Sequence, residues 1–168
     1  MKRRNTRELV IKALFAYEIE KGDPIRQLEY IAEDWEMAGF PEGSREKFLN
    51  SIEDEYARRL TAGILDHKDE LDQMINAYAI DWDIKRLGGA ERNILRMGLY
   101  EMLYDEKLAP AIAINEAVDL VKIYGSQDAS RFINGILGRK AEELKKNPAE
   151  RPEKPKQDPD PQSGADRK

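Results

Sequence analysis

The sequence contains no cysteine and only one histidine among its 168 residues. The lack of cysteine excludes disulfide bonds, thiolate nucleophiles and sulfur-based zinc sites, and it permits a reducing cytoplasm, where we expect the protein to reside. The single histidine, His67, has no second histidine or cysteine with which to build a zinc site or a catalytic triad. We therefore predict no catalytic residue, no metal site and no cofactor, and we expect a binding protein rather than an enzyme.

Long apolar runs are also missing. No stretch approaches the roughly 20 apolar residues that cross a bilayer, and no apolar segment follows the basic first residues as it does in a signal peptide. We therefore expect no membrane association. With 40% hydrophobic and 36% charged residues, the chain is long enough to form one domain with a substantial core.

Basic charge is concentrated at the N-terminus. The formal net charge of −5 disfavours nucleic acid as a partner for the surface as a whole. Residues 1–12, however, carry five basic side chains against one acidic side chain, Glu8, which is a local charge of +4. Residues 147–168 are neutral, which leaves −9 for residues 13–146. This distribution allows a polyanion to bind at one end of the molecule, although a solvated N-terminal tail explains it equally well.

Apolar residues recur at intervals of three and four along most of the chain, and no segment alternates with period two for long enough to predict a strand. Glycine and proline divide this pattern, and Pro24 and Pro110 each suit the first position of a helix. We therefore predict an all-α fold, a single bundle of about seven helices within residues 1–146. The third helix is predicted to begin at Ser44. Gly98, inside a strongly apolar helix, would permit a neighbouring helix to approach closely.

The last part of the chain has a different composition. From Asn147 onward it contains five of the eight prolines, no aromatic residue and no aliphatic residue larger than alanine. Such a segment cannot bury enough surface to offset the entropy of ordering it. We therefore predict a helical domain over residues 1–146 and a disordered, proline-rich, charged tail over residues 147–168.

Several stretches of the sequence form an ordered set of motifs. They are Arg3–Leu9 with Ala13–Phe15, Ala90–Leu103, Ala113–Val118 and Phe132–Leu137. Taken together and in this order, these stretches resemble the NusB family. They are similar to the family's arginine-rich start and "ARE…ALY" first helix, to its "ERAILRLALYEL" helix, and to its "AINEAVELAK" and "KFVNGVLD" motifs. A single one of these motifs would be weak evidence, but the ordered set, which covers about residues 1–145, is specific.

The resemblance implies a NusB-like helical fold and a role in transcription antitermination. Proteins of this family bind the boxA element of nascent RNA, chiefly in ribosomal RNA operons, and do so jointly with NusE, a protein of the small ribosomal subunit. The pair then helps to load an antitermination complex on RNA polymerase. By resemblance, we expect these partners for this chain.

The resemblance also implies which residues take part. Those that align with or extend the family's RNA-binding positions are Lys2, Arg3, Arg4, Arg7, Lys12, Arg96, Lys122, Asp128 and Phe132. Those that align with the side contacting RNA or the NusE partner, taken here as partner-binding, are Phe15, Tyr78 and Glu91.

The N-terminal arginines have the chemistry that phosphate binding requires. A guanidinium forks onto phosphate oxygens, and the positive end of a helix dipole adds to the attraction. We therefore expect the joint replacement of Arg3, Arg4 and Arg7 by glutamate to abolish RNA binding while leaving the protein folded.

Two further candidates admit a second interpretation. Bases of single-stranded RNA stack on aromatic rings, which Phe132 or Tyr124 could provide, although Phe132 is equally suited to the core. Asp128 could accept a hydrogen bond from a base edge, cap the last helix, or do both, and Ser126 and Ser130 are further candidates for the cap. The sequence leaves these alternatives open.

Two alternative functions also remain open at this point. A NusB-like domain begins certain ribosomal RNA cytosine methyltransferases, which continue into an α/β domain with a catalytic cysteine. Because this sequence contains no cysteine, that resemblance leaves only an RNA-recognition subunit that works in trans with a methyltransferase. The other alternative is a non-catalytic helical module that forms a homodimer and hides its RNA-binding face.

Overall fold

The computed structural model describes residues 2–33, 53–79 and 87–148, and within these ranges the chain forms seven α-helices and no strand. The helices are α1 Lys2–Glu20, α2 Pro24–Glu33, α3 Asp54–Asp66, α4 Lys68–Tyr78, α5 Gly89–Tyr104, α6 Pro110–Tyr124 and α7 Gln127–Lys146. The all-α prediction is confirmed. None of the described helices is long and apolar enough to cross a membrane.

Two predicted features lie largely outside the described residues. The predicted start of the third helix at Ser44 belongs to this group, and α3 itself begins at Asp54, directly after Glu53, whose backbone is extended. Residues 149–168 of the predicted tail also lie outside, while α7 ends at Lys146, where the predicted domain ends. The division into a domain and a disordered tail therefore stays a prediction.

Local sequence explains several helix ends. After α1, Lys21 and Gly22 adopt positive φ angles of 53° and 105°, and glycine takes such angles without steric cost. Pro110 occupies the start of α6, where its missing N–H would have no intrahelical acceptor in any case. At the start of α7, the hydroxyl of Ser126 accepts a hydrogen bond from the backbone N–H of Ala129 at 3.1 Å. Ser126 is therefore the cap of the last helix.

Helix α5 lies at the centre of the bundle. It contacts α1, α3, α4, α6 and α7, and side chains on nearly every side of it are buried. A helix covered all round needs apolar residues on most faces rather than on one stripe, which explains why the apolar residues of α5 are not confined to one face. Its largest fully buried side chains are Ile94, Leu95, Met97, Leu99, Met102 and Leu103.

Gly98 lies where α5 meets α6 and α7. A methyl group placed on Gly98 would lie 2.9 Å from Cδ1 of Leu137 on α7 and 3.4 Å from Cβ of Ala117 on α6. Leu137 is itself fully buried, so its side chain has little room to move away. The glycine therefore allows the close approach that the sequence suggested.

We expect Gly98→Ala to be less stable than Gly135→Ala by about 1–3 kcal/mol, since overpacking a core has a cost of that size. Through helix propensity alone, each change from glycine to alanine stabilises the protein by the same amount, about 1 kcal/mol. At Gly135, on the exposed side of α7, the added methyl group would have no described atom within 4 Å apart from those of adjacent residues and of the backbone of its own helix. Urea unfolding of both variants measures the difference. Equal stabilisation by the two alanines would contradict a tight contact at Gly98.

Candidate nucleic-acid interface

The structure separates the predicted RNA-binding residues by exposure. The side chains of Arg3 and Arg4, in the first turn of α1, are 44% and 42% exposed. Lys122 on α6 and Asp128 on α7 are also exposed. Among the other predicted residues, Lys12 and Phe132 are half-buried, and Arg7 and Arg96 are buried. Lys2 begins α1, but its side chain is not among those described.

Arg7 lies in the interior, where α1 crosses α5. Its guanidinium donates three hydrogen bonds of 2.8 to 3.1 Å to the two carboxylate oxygens of Glu101. The hydroxyl of Tyr56, on α3, donates to the same carboxylate at 2.7 Å. Because Arg7 is only 3% exposed, it cannot reach a phosphate without leaving Glu101. The prediction that Arg7 contacts RNA is therefore corrected: Arg7 joins α1 to α5 and, through Glu101, to α3.

This correction changes the expected effect of charge reversal at the N-terminus. Glutamate at position 7 would place a second buried carboxylate against Glu101, and an unpaired buried charge is strongly destabilising. The joint replacement of Arg3, Arg4 and Arg7 should therefore unfold the protein instead of leaving it folded. Of these three arginines, only Arg3 and Arg4 are suitable for testing RNA binding by charge reversal.

Arg96 is a second buried arginine. Its guanidinium donates to both carboxylate oxygens of Asp72 on α4, at 2.7 and 3.1 Å, and to Glu18 on α1 at 2.8 Å. With 5% of its surface exposed and its donors engaged, it links α5 to α1 and α4. Its predicted contact with RNA is corrected in the same way.

Arg3 extends from α1 over the aromatic ring of Tyr56, with the guanidinium carbon 4.0 Å from the ring centroid. Its Nε donates to Glu53 at 3.1 Å, and its Nη1 donates to Asp105 at 3.5 Å. All these contacts lie at the surface, so the guanidinium is held in place but remains accessible to solvent.

Arg4 faces α6 instead. It donates to both carboxylate oxygens of Glu116, at 3.2 and 3.3 Å, and to Asp119 at 2.8 Å. Glu116, and to a smaller extent Asp119, raise the pKa of Arg4. Carboxylates just before α3, just after α5 and on α6 thus offset the basic charge that the sequence places at the start of α1.

The start of α7 resolves one of the two open interpretations. Asp128 lies in the first turn but is not the cap, which is Ser126, so its exposed carboxylate is available to other donors. Phe132 packs against the core and is half-buried, as is Tyr124 at the end of α6. Lys12 is half-buried on α1, where burial lowers its pKa against the opposing charge of Glu8.

The predicted partner-binding residues have different surroundings. Phe15 is 43% exposed, and its ring covers Gly89 at the start of α5. Glu91 accepts hydrogen bonds from the backbone N–H groups of Gly88 at 3.0 Å and Ser126 at 2.9 Å, so it ties the start of α5 to the start of α7. Phe15 and Glu91 therefore lie at the same end of α5.

Tyr78 lies apart from that pair, on the side of α4 that contacts α7. Its hydroxyl donates a short hydrogen bond to Glu143, and the guanidinium of Arg139 lies 4.9 Å from its ring centroid. These contacts assign Tyr78 a role in joining α4 to α7 and leave its ring only partly accessible.

Sequence reasoning missed a polar groove between α6 and α7. Its volume is 480 Å³, and its lining consists of Asn115, Val118, Asp119, Lys122, Ser130, Arg131 and Asn134. Of these, only Lys122 was predicted to contact RNA. Asn115 and Asn134 lie within the two most specific motifs of the resemblance, but nothing in the motifs indicates that the two residues line one groove.

Comparison with known proteins identifies the family. Residues 4–142 match the NusB family. The chain belongs to the NusB family. A transcription antitermination protein NusB from a Nitratiruptor species is 40% identical over 143 residues, which are 85% of this chain and 94% of that protein.

Solved NusB structures share the fold. A structure of T. maritima NusB has 32% sequence identity and a TM-score of 0.66, covering 84% of this chain and 91% of its own. A chain from a complex of the antitermination factors NusB and NusE with double-stranded RNA has 25% identity and a TM-score of 0.66, covering 84% and 97%. The family predicted from the ordered motifs is thus confirmed.

The buried cluster predicts a specific alkaline sensitivity for this NusB-family protein. Burial, together with the charge of Glu101 and the hydrogen bond to it, raises the pKa of Tyr56 well above its usual value of about 10. The unfolded chain therefore loses this proton at a lower pH than the folded protein does. The Tyr56 hydroxyl therefore makes its full contribution to the free energy of unfolding below pH of about 10, and this contribution decreases as the pH rises further.

We expect the free energy of unfolding to decrease as the pH rises from about 10 to about 12, and Tyr56→Phe to reduce that decrease. Urea unfolding at several pH values measures both slopes. Tyr30→Phe is the matched control because Tyr30 is 52% exposed, and it should keep the wild-type slope. An unchanged slope in Tyr56→Phe would show that Tyr56 does not retain its proton.

Proposed function

We propose that this NusB-family protein is a non-catalytic adaptor that binds boxA-type single-stranded RNA of ribosomal RNA operon transcripts jointly with NusE. Through that complex it joins the antitermination machinery on RNA polymerase, in the cytoplasm. The observation that carries the proposal is the pair of surface arginines in the first turn of α1. Arg3 and Arg4 are positioned by surface carboxylates, while Arg7, one turn further, is committed to the core.

Surface ion pairs of this kind are readily exchanged. Exposed pairs contribute only about 0.2–1 kcal/mol each, so a phosphate can displace a carboxylate from Arg3 or Arg4 at low cost. A phosphate also accepts two hydrogen bonds from one guanidinium, and the N-terminus of α1 adds a positive dipole. The stacking of Arg3 on Tyr56 and the double contact of Arg4 with Glu116 restrict both side chains before RNA arrives.

The start of α7 supplies groups suited to bases. The carboxylate of Asp128 is exposed and is not used as a helix cap, so it can accept a hydrogen bond from a base amino group. The accessible part of the Phe132 ring can stack on an unpaired base. These contacts favour a single strand, because a duplex keeps its bases stacked on one another.

Helix α1 also supports the proposed contact with NusE. Phe15 and Ile19 are 43% and 68% exposed, and they lie four residues apart on one face of the helix. Burying both in a protein interface removes apolar surface from water, which is the main driving force of association. A structural relative that occurs in a complex of NusB and NusE with double-stranded RNA supports the same classes of partner.

We expect Arg3→Ala/Arg4→Ala to weaken binding of a boxA-type single strand and to reduce the salt dependence of binding. Loss of two phosphate contacts should lower the slope of log affinity against log salt by about 1.4. Fluorescence anisotropy with labelled RNA, with and without NusE and across a salt series, measures both effects. The same sequence as a duplex tests whether a single strand is preferred.

The matched control is Arg26→Ala/Lys146→Ala, which removes the same charge from exposed positions on α2 and α7. It should retain wild-type affinity and slope. The proposal fails if the wild type binds RNA neither alone nor with NusE, or if the Arg3/Arg4 variant binds as the wild type does.

We expect Glu53→Gln to strengthen RNA binding by up to about fivefold, since the displaced surface pair contributes at most about 1 kcal/mol. The amide keeps the shape of the side chain but no longer competes as an anion for Arg3. Glu29→Gln, which affects the exposed pair with Arg58, should leave affinity unchanged. Weaker binding by Glu53→Gln would show that Glu53 positions Arg3 for RNA instead of competing with RNA.

A further inference from the structure

The polar groove between α6 and α7 lies in a helical hairpin. Only Gly125 and Ser126 connect the two helices, which pack against each other. On α6, the lining positions Val118 and Asp119 lie three and four residues from both Asn115 and Lys122, so the four residues form one face of that helix. On α7, Ser130 and Arg131 lie four and three residues before Asn134 and also form one face. From Asn115 to Lys122 the α6 wall is roughly 10 Å long, at the helical rise per residue.

Two cations face this groove without a carboxylate partner. Lys122 on α6 and Arg131 on α7 are exposed, and neither forms an ion pair with any residue in the described part of the chain. The acidic group of the lining, Asp119, is already paired with Arg4 at 2.8 Å. In a protein with a net charge of −5, a groove with two unpaired cations favours an anionic ligand.

The other polar groups suit base edges better than a simple anion. The side chains of Asn115 and Asn134 are both exposed, and each amide carries donors and an acceptor. The hydroxyl of Ser130 adds another donor and acceptor. The lining residues include no aromatic side chain, so recognition here would depend on hydrogen bonds and phosphate contacts and not on stacking.

The groove is continuous with both parts of the proposed RNA-binding face. On the α6 side, Asp119 contacts Arg4 in the first turn of α1. On the α7 side, Arg131 lies about one helical turn after Asp128. A strand that touches Arg4 and then the start of α7 would follow the groove between them.

We propose that the α6–α7 groove is a binding site for a segment of single-stranded RNA, with Lys122 and Arg131 contacting its phosphates and Asn115 and Asn134 contacting base edges. This inference rests on the proposed RNA-binding function and adds the path that the RNA strand takes between Arg4 and the start of α7. An acidic protein segment would match the two cations, but continuity with Arg4 and Asp128 and the paired amides favour RNA.

The test compares Arg131→Ala/Asn134→Ala with the wild type for binding of a boxA-type single strand in the presence of NusE. We expect roughly tenfold weaker binding, the size expected for losing a charge-assisted contact, and a salt slope reduced by about 0.7 for one lost phosphate. Lys145→Ala removes the same charge from exposed α7 surface and should behave as the wild type.

A gain-of-binding variant keeps the test decisive if the double variant folds poorly. Ser130→Lys adds a cation to the groove and should strengthen RNA binding and increase the salt slope by about 0.7. Circular dichroism and thermal melting of each variant report whether the fold is intact.

The outcomes separate this inference from the function on which it rests. If wild-type binding depends on Arg3 and Arg4 but neither the double variant nor Ser130→Lys changes it, the groove is not an RNA site and the proposed function stands. If the double variant loses binding to NusE in the absence of RNA while RNA binding is unchanged, the groove belongs to a protein partner and the inference is overturned. If the wild type binds no RNA, both fail.

Discussion

The buried ion pair between Arg7 and Glu101 is the interaction on which the rest of the structure depends. It joins α1 to the central helix α5, and Tyr56 on α3 completes it with a third hydrogen-bonding group. Tyr56 also connects this buried cluster to a surface residue. Its hydroxyl donates to Glu101, and its ring lies against the guanidinium of Arg3. A charge pair in the core is tolerated only when its hydrogen bonds are satisfied, so it holds α1 in a single position. That position determines where Arg3 and Arg4 project.

Carboxylates hold the arginines of α1 and α5 both in the core and at the surface. Arg96 is enclosed by Asp72 and Glu18 in the same way as Arg7 is by Glu101, and the surface arginines of α1 have their own carboxylates. Buried pairs are structural, because removing either partner leaves an uncompensated charge. Exposed pairs are weak and exchangeable. In the proposed function, RNA binding is therefore an exchange of phosphate for carboxylate, which suits modest affinity alone and stronger binding with a protein partner.

Much of the fold was predictable from local pattern. The period of the apolar residues predicted every described helix, and Pro24, Pro110 and Gly98 were interpreted correctly because their effects are local or steric. The family was predictable from ordered motifs. The roles of individual site residues were harder to predict from the sequence than the fold or the family. Arg3 and Arg7 are four residues apart on one helical face, yet the first is exposed and the second is buried. Helical spacing could not distinguish them, since both belong to the same face.

The sequence by itself determined the helical class, the absence of cysteine chemistry, the basic start of α1 and membership of the NusB family. Only the tertiary structure decided which arginines are structural, and that α6 and α7 line a groove whose two cations have no ion-pair partner among the described residues. The reason is that burial and charge pairing depend on which residues meet when the helices pack, and many of these residues are distant in the chain. Arg7 is buried because Glu101, 94 residues away, meets it in the core. Helix periodicity reports which face is apolar, whereas charge pairing depends on which helices pack together.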